Sequence, residues 1–233
     1  MCIGSGSGAG DVLGAAGASR DVAAANPGFV WFTAGIHPHD AIGFDAPRDI
    51  ESLRSYAAQG AVAIGECGLD YHYDNSPRVE QRRAFAEQLR LARETDLPVV
   101  VHTRDAEPDT GSMIAEAAQA GVRGVLHCYT GSHDLAQKAL AGGWCVSFSG
   151  IVTFRKWADD DLIRLVPEDS ILAESDSPYL APVPFRGKRN EPAWVSHTVM
   201  KLATARGVSP SEMTKTVARN ARRLFNLPSP ELA

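Results

Sequence analysis

The chain contains 233 residues, of which 44% are hydrophobic and 22% are charged, and this composition excludes an intrinsically disordered protein. The formal net charge of −5 at pH 7 excludes a uniformly basic surface, so any contact with nucleic acid requires local basic groups or bound cations. The length suits one α/β-barrel domain, and we interpret residues 1–233 as a single domain.

Cysteine usage and the first residues indicate where the protein works. The four cysteines show no CxxC spacing, which favours a reducing compartment. Residues 1–17 are rich in Gly, Ala and Ser and lack the basic start and apolar core of a signal peptide. No stretch approaches the roughly 18 apolar residues that a membrane span requires. We therefore expect a cytoplasmic protein with no membrane partner.

Short apolar runs alternate with longer amphipathic segments, a pattern typical of repeated strand–helix units. The expected strands are residues 1–4, 30–36, 61–67, 98–102, 124–129, 144–149 and 170–175. The expected helices are residues 12–25, 47–59, 78–95, 112–120, 133–141, 159–165, 191–206 and 209–225. The strand segments are apolar throughout rather than alternating, as in a parallel sheet that is covered on both faces.

Seven strands are one fewer than a closed (β/α)8 barrel requires. We therefore predict an α/β fold, a TIM-type barrel with seven strands that lacks its first βα unit. The apolar run at residues 1–4 starts at Met1 without a polar lead-in, which favours a missing unit at the amino end. Open edges at residues 1–4 and 170–175 are expected to make this chain less stable and less active than one with an added βα unit.

Ligand-type side chains follow four of the expected strands at their carboxyl ends, where barrel enzymes have their active sites. They are Glu66 in GECGLD, His102 in HTRD, His127 in LHCY and Asp176 in ESDSPY. Alone, each has a structural interpretation, as a hydrogen-bonded histidine, a buried carboxylate or a helix cap. Four such residues on four strands would need four separate compensations for burying a polar group. Carboxylate and imidazole together favour a site for Zn²⁺, Mn²⁺ or a similar divalent cation.

Six strings resemble, in the same order, those of the TatD-type metal-dependent deoxyribonucleases. They are GIHPHDA, AIGECGLDYHYD, VVVHTRDA, VLHCYTGS, SFSGIVTF and ESDSPYLAPVPFRGKRNEPAWV, and the resemblance spans essentially the whole chain. It implies a TIM-type barrel that holds one or two divalent cations. It also implies that Glu66 bridges the metals, that His102 and His127 bind one ion, that Asp176 binds the other and faces the nucleophilic water, and that His37 lines the pocket.

One feature of that family is absent from this sequence. Most members open with an apolar-D-x-H-x-H string on the first strand, and its two histidines complete the second metal site. The resemblance therefore implies an intact site at Glu66, His102 and His127, and a site near Asp176 that has lost ligands. The remaining histidines, among them His39, are expected at the surface or as caps and are given no metal role.

A basic segment follows the last strand and contains Arg186, Lys188 and Arg189. Such a charged loop is usually solvated, but the resemblance of RGKRNEP favours contacts with substrate phosphate beside the metals. We assign the same phosphate-binding role to Arg104, which follows the strand at 98–102.

We expect a deoxyribonuclease that removes nucleotides from a DNA end, with Mg²⁺, Mn²⁺ or Zn²⁺ as cofactor. A metal-activated water attacks phosphorus, and Asp176, Glu66 and His37 are the predicted catalytic residues. Two alternatives remain open. The same type of barrel acts on RNA, D-aminoacyl-tRNA or another ester or amide, because loops rather than metal ligands set the substrate. The chain could also be an inactive remnant that acts as a binding protein.

Overall fold

The computed structural model describes residues 2–4 and 14–228. Its strands are β1 (Cys2–Gly4), β2 (Val30–Phe32), β3 (Ile64–Asp70), β4 (Val99–Arg104), β5 (Gly124–Leu126), β6 (Cys145–Phe148) and β7 (Ile171–Ala173). Its α-helices are α1 (Gly14–Ala25), α2 (Ala46–Ala58), α3 (Arg78–Thr95), α4 (Glu107–Gln119), α5 (His133–Ala141), α6 (Asp160–Leu165), α7 (Val195–Arg206) and α8 (Pro210–Leu224). Short 3₁₀ helices lie at Pro38–Gly43, Gly150–Thr153 and Pro192–Trp194.

The strands are parallel and stand side by side in chain order. β1 pairs with β2, and β3 to β7 form a second run of neighbours. A parallel bridge between Ala34 and Ile64 joins the two runs. Over residues 2–4 and 14–228, no pairing connects β7 to β1, and the sheet is open there. The predicted TIM-type fold with seven strands is confirmed, whereas one domain over residues 1–233 stays a prediction.

The prediction was wrong about the bounds of the third strand, which begins and ends three residues later than the expected 61–67. Glycines often mark a turn. In β3, however, they permit close pairing with β4. Gly68 has a φ of 131°, and a Cβ atom there would overlap the carbonyl oxygen of His102. A left-handed φ and this contact both require glycine, so the strand continues as far as Asp70.

Alternate residues of each strand face two different layers. Val99 and Val101 belong to the large core between the sheet and the helices. Val100 and Leu172 contact a smaller cluster, which fills the inner side of the sheet. Leu224, Phe225 and Leu227, at the end of α8 and just beyond, complete that inner cluster. No helix of the described residues is long and apolar enough to cross a membrane.

Two buried glutamines of α3 hold the backbone beyond β2 and at the end of β3. The side chain of Gln88 accepts a hydrogen bond from the backbone N–H of Ile36 (2.8 Å) and donates one to its carbonyl oxygen (3.1 Å). Gln81 makes the same pair of bonds to the backbone of Asp70, at 2.8 and 3.0 Å. Seven residues are about two helical turns, so both amides project from one face of α3. They fix the backbone where polar side chains follow β2 and β3.

Replacing Gln88 with Leu should lower the free energy of unfolding by ~3 kcal/mol, because a buried N–H and a buried carbonyl of Ile36 would lose their partners. Urea denaturation followed by circular dichroism measures the effect. The control is the same exchange at Gln137, an exposed position on α5, which should change stability by less than ~0.5 kcal/mol. Equal losses in both variants would contradict the anchoring role of Gln88.

Candidate metal centre

Three ligand-type side chains reach the inner side of the sheet by simple alternation. His102 lies two residues after Val100, and Glu174 lies two residues after Leu172, both of which contact the inner apolar cluster. His127 stands in the same relation to Val125. Because side chains two apart on a strand share a face, these groups project above the apolar cluster at the carboxyl ends of the strands.

Glu66 reaches the same place through a β-bulge. Gly65 pairs with Val100 and Cys67 pairs with Val101, so Glu66 is an extra residue in the register of β3 and β4. Without this insertion, Glu66 would occupy the position of Cys67 and would face the helix layer. A bulge changes the direction of one side chain in this way, and here it brings the carboxylate to the inner face.

Three imidazoles converge on one oxygen atom of Glu66. Its Oε1 lies 3.4 Å from Nε2 of His37, 3.2 Å from Nδ1 of His102 and 3.1 Å from Nε2 of His127. Nδ1 of His127 lies 2.7 Å from Oε1 of Glu174 on its other side. The predicted residues His37, Glu66, His102 and His127 are therefore in one cluster. His37, predicted to line the pocket and to be a catalytic residue, lies among the potential ligands.

The cluster contains two groups of three possible metal ligands, each with its ligand atoms within 4.8 Å of one another. One group is His37, Glu66 and His102, and the other is His127, Glu174 and Asp176. This arrangement differs from the prediction, in which His127 belongs to the first group and Asp176 is short of ligands. The structure instead places His127 and Glu174 beside Asp176.

Burial and mutual interactions change the protonation of these groups. Burial alone would lower the pKa of His127, but the carboxylates of Glu174 and Glu66 raise it well above its ordinary value. Burial likewise opposes the ionisation of Glu66, yet His127 and the other imidazoles hold its pKa well below the usual range. Burial raises the pKa of Asp176 to about 6, and the nearby carboxylates of Glu174 and Glu66 add to the effect.

This donor set fits a divalent cation. Glu66, Glu174 and Asp176 bring three carboxylates into a largely buried space, where negative charges require a positive partner. Imidazole nitrogen and carboxylate oxygen are the ligands that Zn²⁺ and Mn²⁺ accept. The residues that would hold the cation are His37, Glu66, His102, His127, Glu174 and Asp176.

Asp70 supports the ligands from behind. Its Oδ2 accepts hydrogen bonds from Nε2 of His102 and Nε2 of His39, both at 3.0 Å. Its Oδ1 accepts the backbone N–H groups of His72 (3.0 Å) and Tyr73 (2.8 Å). Burial opposes ionisation, but the bonds from His102 and Tyr73 lower the pKa of Asp70 below its usual value. Such a carboxylate fixes the ring orientation and the tautomer of a ligating histidine.

Asp70, Glu174 and His39 lie in or beside the site but were not among the predicted site residues. Asp70 is the last residue of GECGLD, and the early end assigned to the third strand placed it in a loop. Glu174 lies two residues before Asp176, and the alternation from Leu172 would have indicated that it faces inward. No pattern separates His39 from the other histidines, because its place depends on the 3₁₀ helix Pro38–Gly43 that follows His37.

The loop that carries Asp176 is held by one buried asparagine. Nδ2 of Asn190 donates hydrogen bonds to the carbonyl oxygens of Ser175 and Tyr179, both at 2.6 Å. Asp176 lies between those carbonyls and has a left-handed φ of 55°, which aspartate tolerates. The RGKRNEP string thus contains a residue that positions the loop, in addition to its basic side chains.

The four residues assigned to phosphate are exposed cations, and three of them lie near aromatic rings. The guanidinium of Arg186 lies 3.9 Å from the ring centroid of Phe154, and the ammonium of Lys188 lies 5.6 Å from that of Phe185. Arg104 lies 4.8 Å from the centroid of Tyr73, and Arg189 is exposed. Arg104 is the last residue of β4 and is therefore separated from the basic loop after β7.

These cations differ from the basic residues of the helices. In the described ranges, Arg104, Arg186, Lys188 and Arg189 form no ion pair with a carboxylate. Many helical arginines do form one, including Arg54 with Glu94, Arg90 with Glu87 and Arg219 with Glu168. Cations without a carboxylate partner are available to an anionic ligand.

Known proteins match the chain over most of its length. The family of TatD related DNases matches residues 13–226. The "uncharacterized metal-dependent hydrolase YcfH" of Escherichia coli K12 is 43% identical over 205 residues, which cover 87% of this chain and 76% of that protein. The "3'-5' ssDNA/RNA exonuclease TatD" of Pantoea vagans is 37% identical over 215 residues, covering 90% of this chain and 83% of that protein.

A solved structure of a TatD homolog has a similar fold. The crystal structure of YJJV, a TatD homolog from Escherichia coli K12, superposes with a TM-score of 0.81 at 27% identity and covers 91% of this chain and 82% of that chain. The similarity to metal-dependent hydrolases and the two ligand groups confirm the prediction of a divalent metal cofactor. With a family match over residues 13–226 and these relatives, the chain belongs to the TatD family of metal-dependent hydrolases.

Proposed function

We propose that this hydrolase cleaves phosphodiester bonds at the end of a single-stranded nucleic acid, with DNA as its principal substrate. The observation that carries the proposal is the position of unpaired cations at the end of β4 and on the loop after β7, at the same edge of the sheet as the candidate metal ligands. Arg104 on one side and Arg186, Lys188 and Arg189 on the other suit a polyanionic backbone. The name of the Pantoea vagans relative, an exonuclease of single-stranded DNA and RNA, supports the same substrate class.

In this proposal Glu66, His102 and His127 would hold the cation, and His37, Glu174 and Asp176 would complete the two ligand groups. When bound, a divalent cation supplies Lewis acidity toward a phosphoryl oxygen and a lower pKa for water. The unpaired basic side chains bind the phosphates on either side of the scissile bond and stabilise negative charge in the transition state.

Asp176 is the carboxylate best suited to accept a proton from water. Glu174 and Glu66 are engaged by His127 at 2.7 and 3.1 Å. The described residues place no hydrogen-bond donor on the Asp176 carboxylate, and burial raises its pKa to about 6. Of the three carboxylates, Asp176 is the one that His127 does not engage, so in this proposal Asp176 orients the attacking water and accepts its proton.

The proposal is tested by parallel assays on 3′-labelled single-stranded DNA, duplex DNA, single-stranded RNA and a D-aminoacyl-tRNA. Each assay uses protein loaded with Mg²⁺, Mn²⁺ or Zn²⁺. We expect stepwise shortening of single-stranded DNA from one end, with slower cleavage of the duplex. Deacylation of the D-aminoacyl-tRNA without any cleavage of DNA or RNA would reject the proposal and select the alternative substrate.

Replacing Glu66 with Gln should reduce turnover by roughly 10²–10⁴-fold, because three imidazoles lose their common carboxylate and the cation loses an anionic ligand. Rates on single-stranded DNA are measured together with metal content after dialysis. Glu51→Gln, an exposed exchange on α2, serves as the matched control and should be silent. A folded Glu66→Gln protein with full metal content and ordinary turnover would remove Glu66 from the site.

Replacing Asp70 with Asn should weaken metal binding by roughly 10–100-fold, because His102 and His39 lose a charged acceptor while the side chain keeps its size. Isothermal titration with Zn²⁺ or Mn²⁺ gives the affinity independently of activity. Asp105→Asn is the control, since Asp105 pairs with the exposed His72 and contacts no candidate ligand. If both variants bind metal as the parent protein does, Asp70 does not position the ligands.

Replacing Arg186, Lys188 and Arg189 together with Ala should raise KM for single-stranded DNA and reduce the salt dependence of binding. Removal of three phosphate contacts makes the negative slope of log affinity against log salt concentration shallower by about 2. The matched control replaces Arg54, Arg90 and Arg219, each of which pairs with a carboxylate, and changes the net charge equally. Identical slopes in the two triple variants would contradict phosphate binding by the loop and would indicate a solvated charged segment.

A further inference from the structure

A row of aromatic rings leads from the metal ligands to the surface. The ring centroids of His102 and His37 are 4.9 Å apart, and those of His37 and His39 are 4.4 Å apart. The row continues to Tyr73, whose centroid lies 5.5 Å from that of His39. It ends at His72, 5.0 Å from Tyr73. The last two rings lie in the loop after β3, at the rim of the site.

Tyr73 is an exposed member of this row, and several contacts hold it in place. Its side chain is 56% exposed, although its ring contacts three neighbours. The guanidinium of Arg104 lies 4.8 Å from the ring centroid, and the rings of His39 and His72 stand perpendicular to it, each at 88°. Its backbone N–H donates to Asp70 at 2.8 Å, which ties its position to the carboxylate behind His102.

We propose that Tyr73 is a stacking platform for a nucleobase next to the scissile phosphate, and this inference rests on the proposed nuclease function. An aromatic ring in this position offers a surface to any base, since every base has a π face. The neighbouring Arg104 supplies positive charge for the phosphate attached to that base. An unpaired, unstacked base is needed to use such a platform, so it favours a single strand over a duplex.

The order of the strands defines the proposed path of the nucleic acid across the site. Tyr73 follows β3 and Arg104 is the last residue of β4, whereas the basic loop at residues 186–189 follows β7, at the other end of the five-stranded run. Of the candidate ligands, Glu66 and His102 lie on β3 and β4, and His127 and Glu174 directly follow β5 and β7. The proposed path places a base on Tyr73, the scissile phosphate over the ligands and the adjoining backbone along the basic loop.

The substitution Tyr73→Ala separates this role from support of the metal centre. The bond from residue 73 to Asp70 uses the backbone N–H, which alanine retains. Tyr73→Trp and Tyr73→Phe keep an aromatic surface and should restore function. Phe29→Ala is the matched control, because Phe29 is 60% exposed but immediately precedes β2, at the amino end of the strands.

The experiment measures KM and kcat on single-stranded DNA that carries one abasic nucleotide, moved position by position from the cleaved end. In the parent protein, the abasic nucleotide at one position should raise KM about 10-fold, as expected for the loss of one stacked base. Tyr73→Ala should raise KM for ordinary DNA by the same factor and should be insensitive to that abasic site. Phe29→Ala should behave as the parent protein does.

Binding provides a readout that does not depend on turnover. An oligonucleotide with 2-aminopurine at the sensitive position, protected by phosphorothioate linkages, should lose fluorescence on binding to the metal-loaded parent protein and to Tyr73→Trp. It should keep its fluorescence with Tyr73→Ala. Equal quenching by Tyr73→Ala, or equal penalties for the abasic site in both proteins, would overturn the platform.

The two proposals fail in different ways. Normal cleavage of DNA by Tyr73→Ala, with an unchanged response to abasic sites, overturns the platform and leaves the nuclease in place. Quenching that depends on Tyr73 without cleavage of DNA or RNA rejects the nuclease and supports the platform. Absence of both cleavage and quenching in the parent protein overturns both.

Discussion

The site depends on a single carboxylate that is placed where a charge is costly. Glu66 is buried, and its Oε1 is the common neighbour of His37, His102 and His127. An isolated carboxylate there would not remain ionised, but the imidazoles hold its pKa well below the ordinary range. The bulge in β3 is what directs this side chain inward. Without the extra residue, no carboxylate would stand between the two ligand groups.

Rigid backbone anchoring makes this concentration of charge possible. Gln88 and Gln81 bind the backbone at Ile36 and Asp70, just before His37 and at the end of β3. Asp70 then orients His102 and His39, and Asn190 fixes the turn around Asp176. Each of these anchoring side chains is fixed by at least two hydrogen bonds, which restrict its rotation. Ligands held by such a frame lose little entropy when a cation binds, which favours both affinity and choice of geometry.

Much of the fold was predictable because the apolar periodicity differs between buried strands and amphipathic helices. Helix α3 lies at the predicted residues 78–95, and all seven predicted strands are present, one of them shifted. His102 and His127 were predictable as members of the site because they end apolar strands. The bulge at Glu66 was not predictable, since it depends on how β3 pairs with a strand about 30 residues away. Asp70 and His39 were missed for the same reason: their roles arise from contacts between distant segments.

In the proposed nuclease, the opposite charges of the metal ligands and of the basic residues around them couple binding of the cation to binding of the nucleic acid. Carboxylates of Glu66, Glu174 and Asp176 occupy the centre, and the cations of Arg104 and the basic loop surround it. In the proposed nuclease, the basic residues attract phosphate in a chain with a net charge of −5, and the carboxylates repel it until a cation is bound. On this proposal, binding of the cation and binding of a nucleic acid strengthen each other, and by reciprocity each raises the affinity for the other by the same factor. The metal ligands of the proposed nuclease thus contribute to substrate binding as well as to hydrolysis.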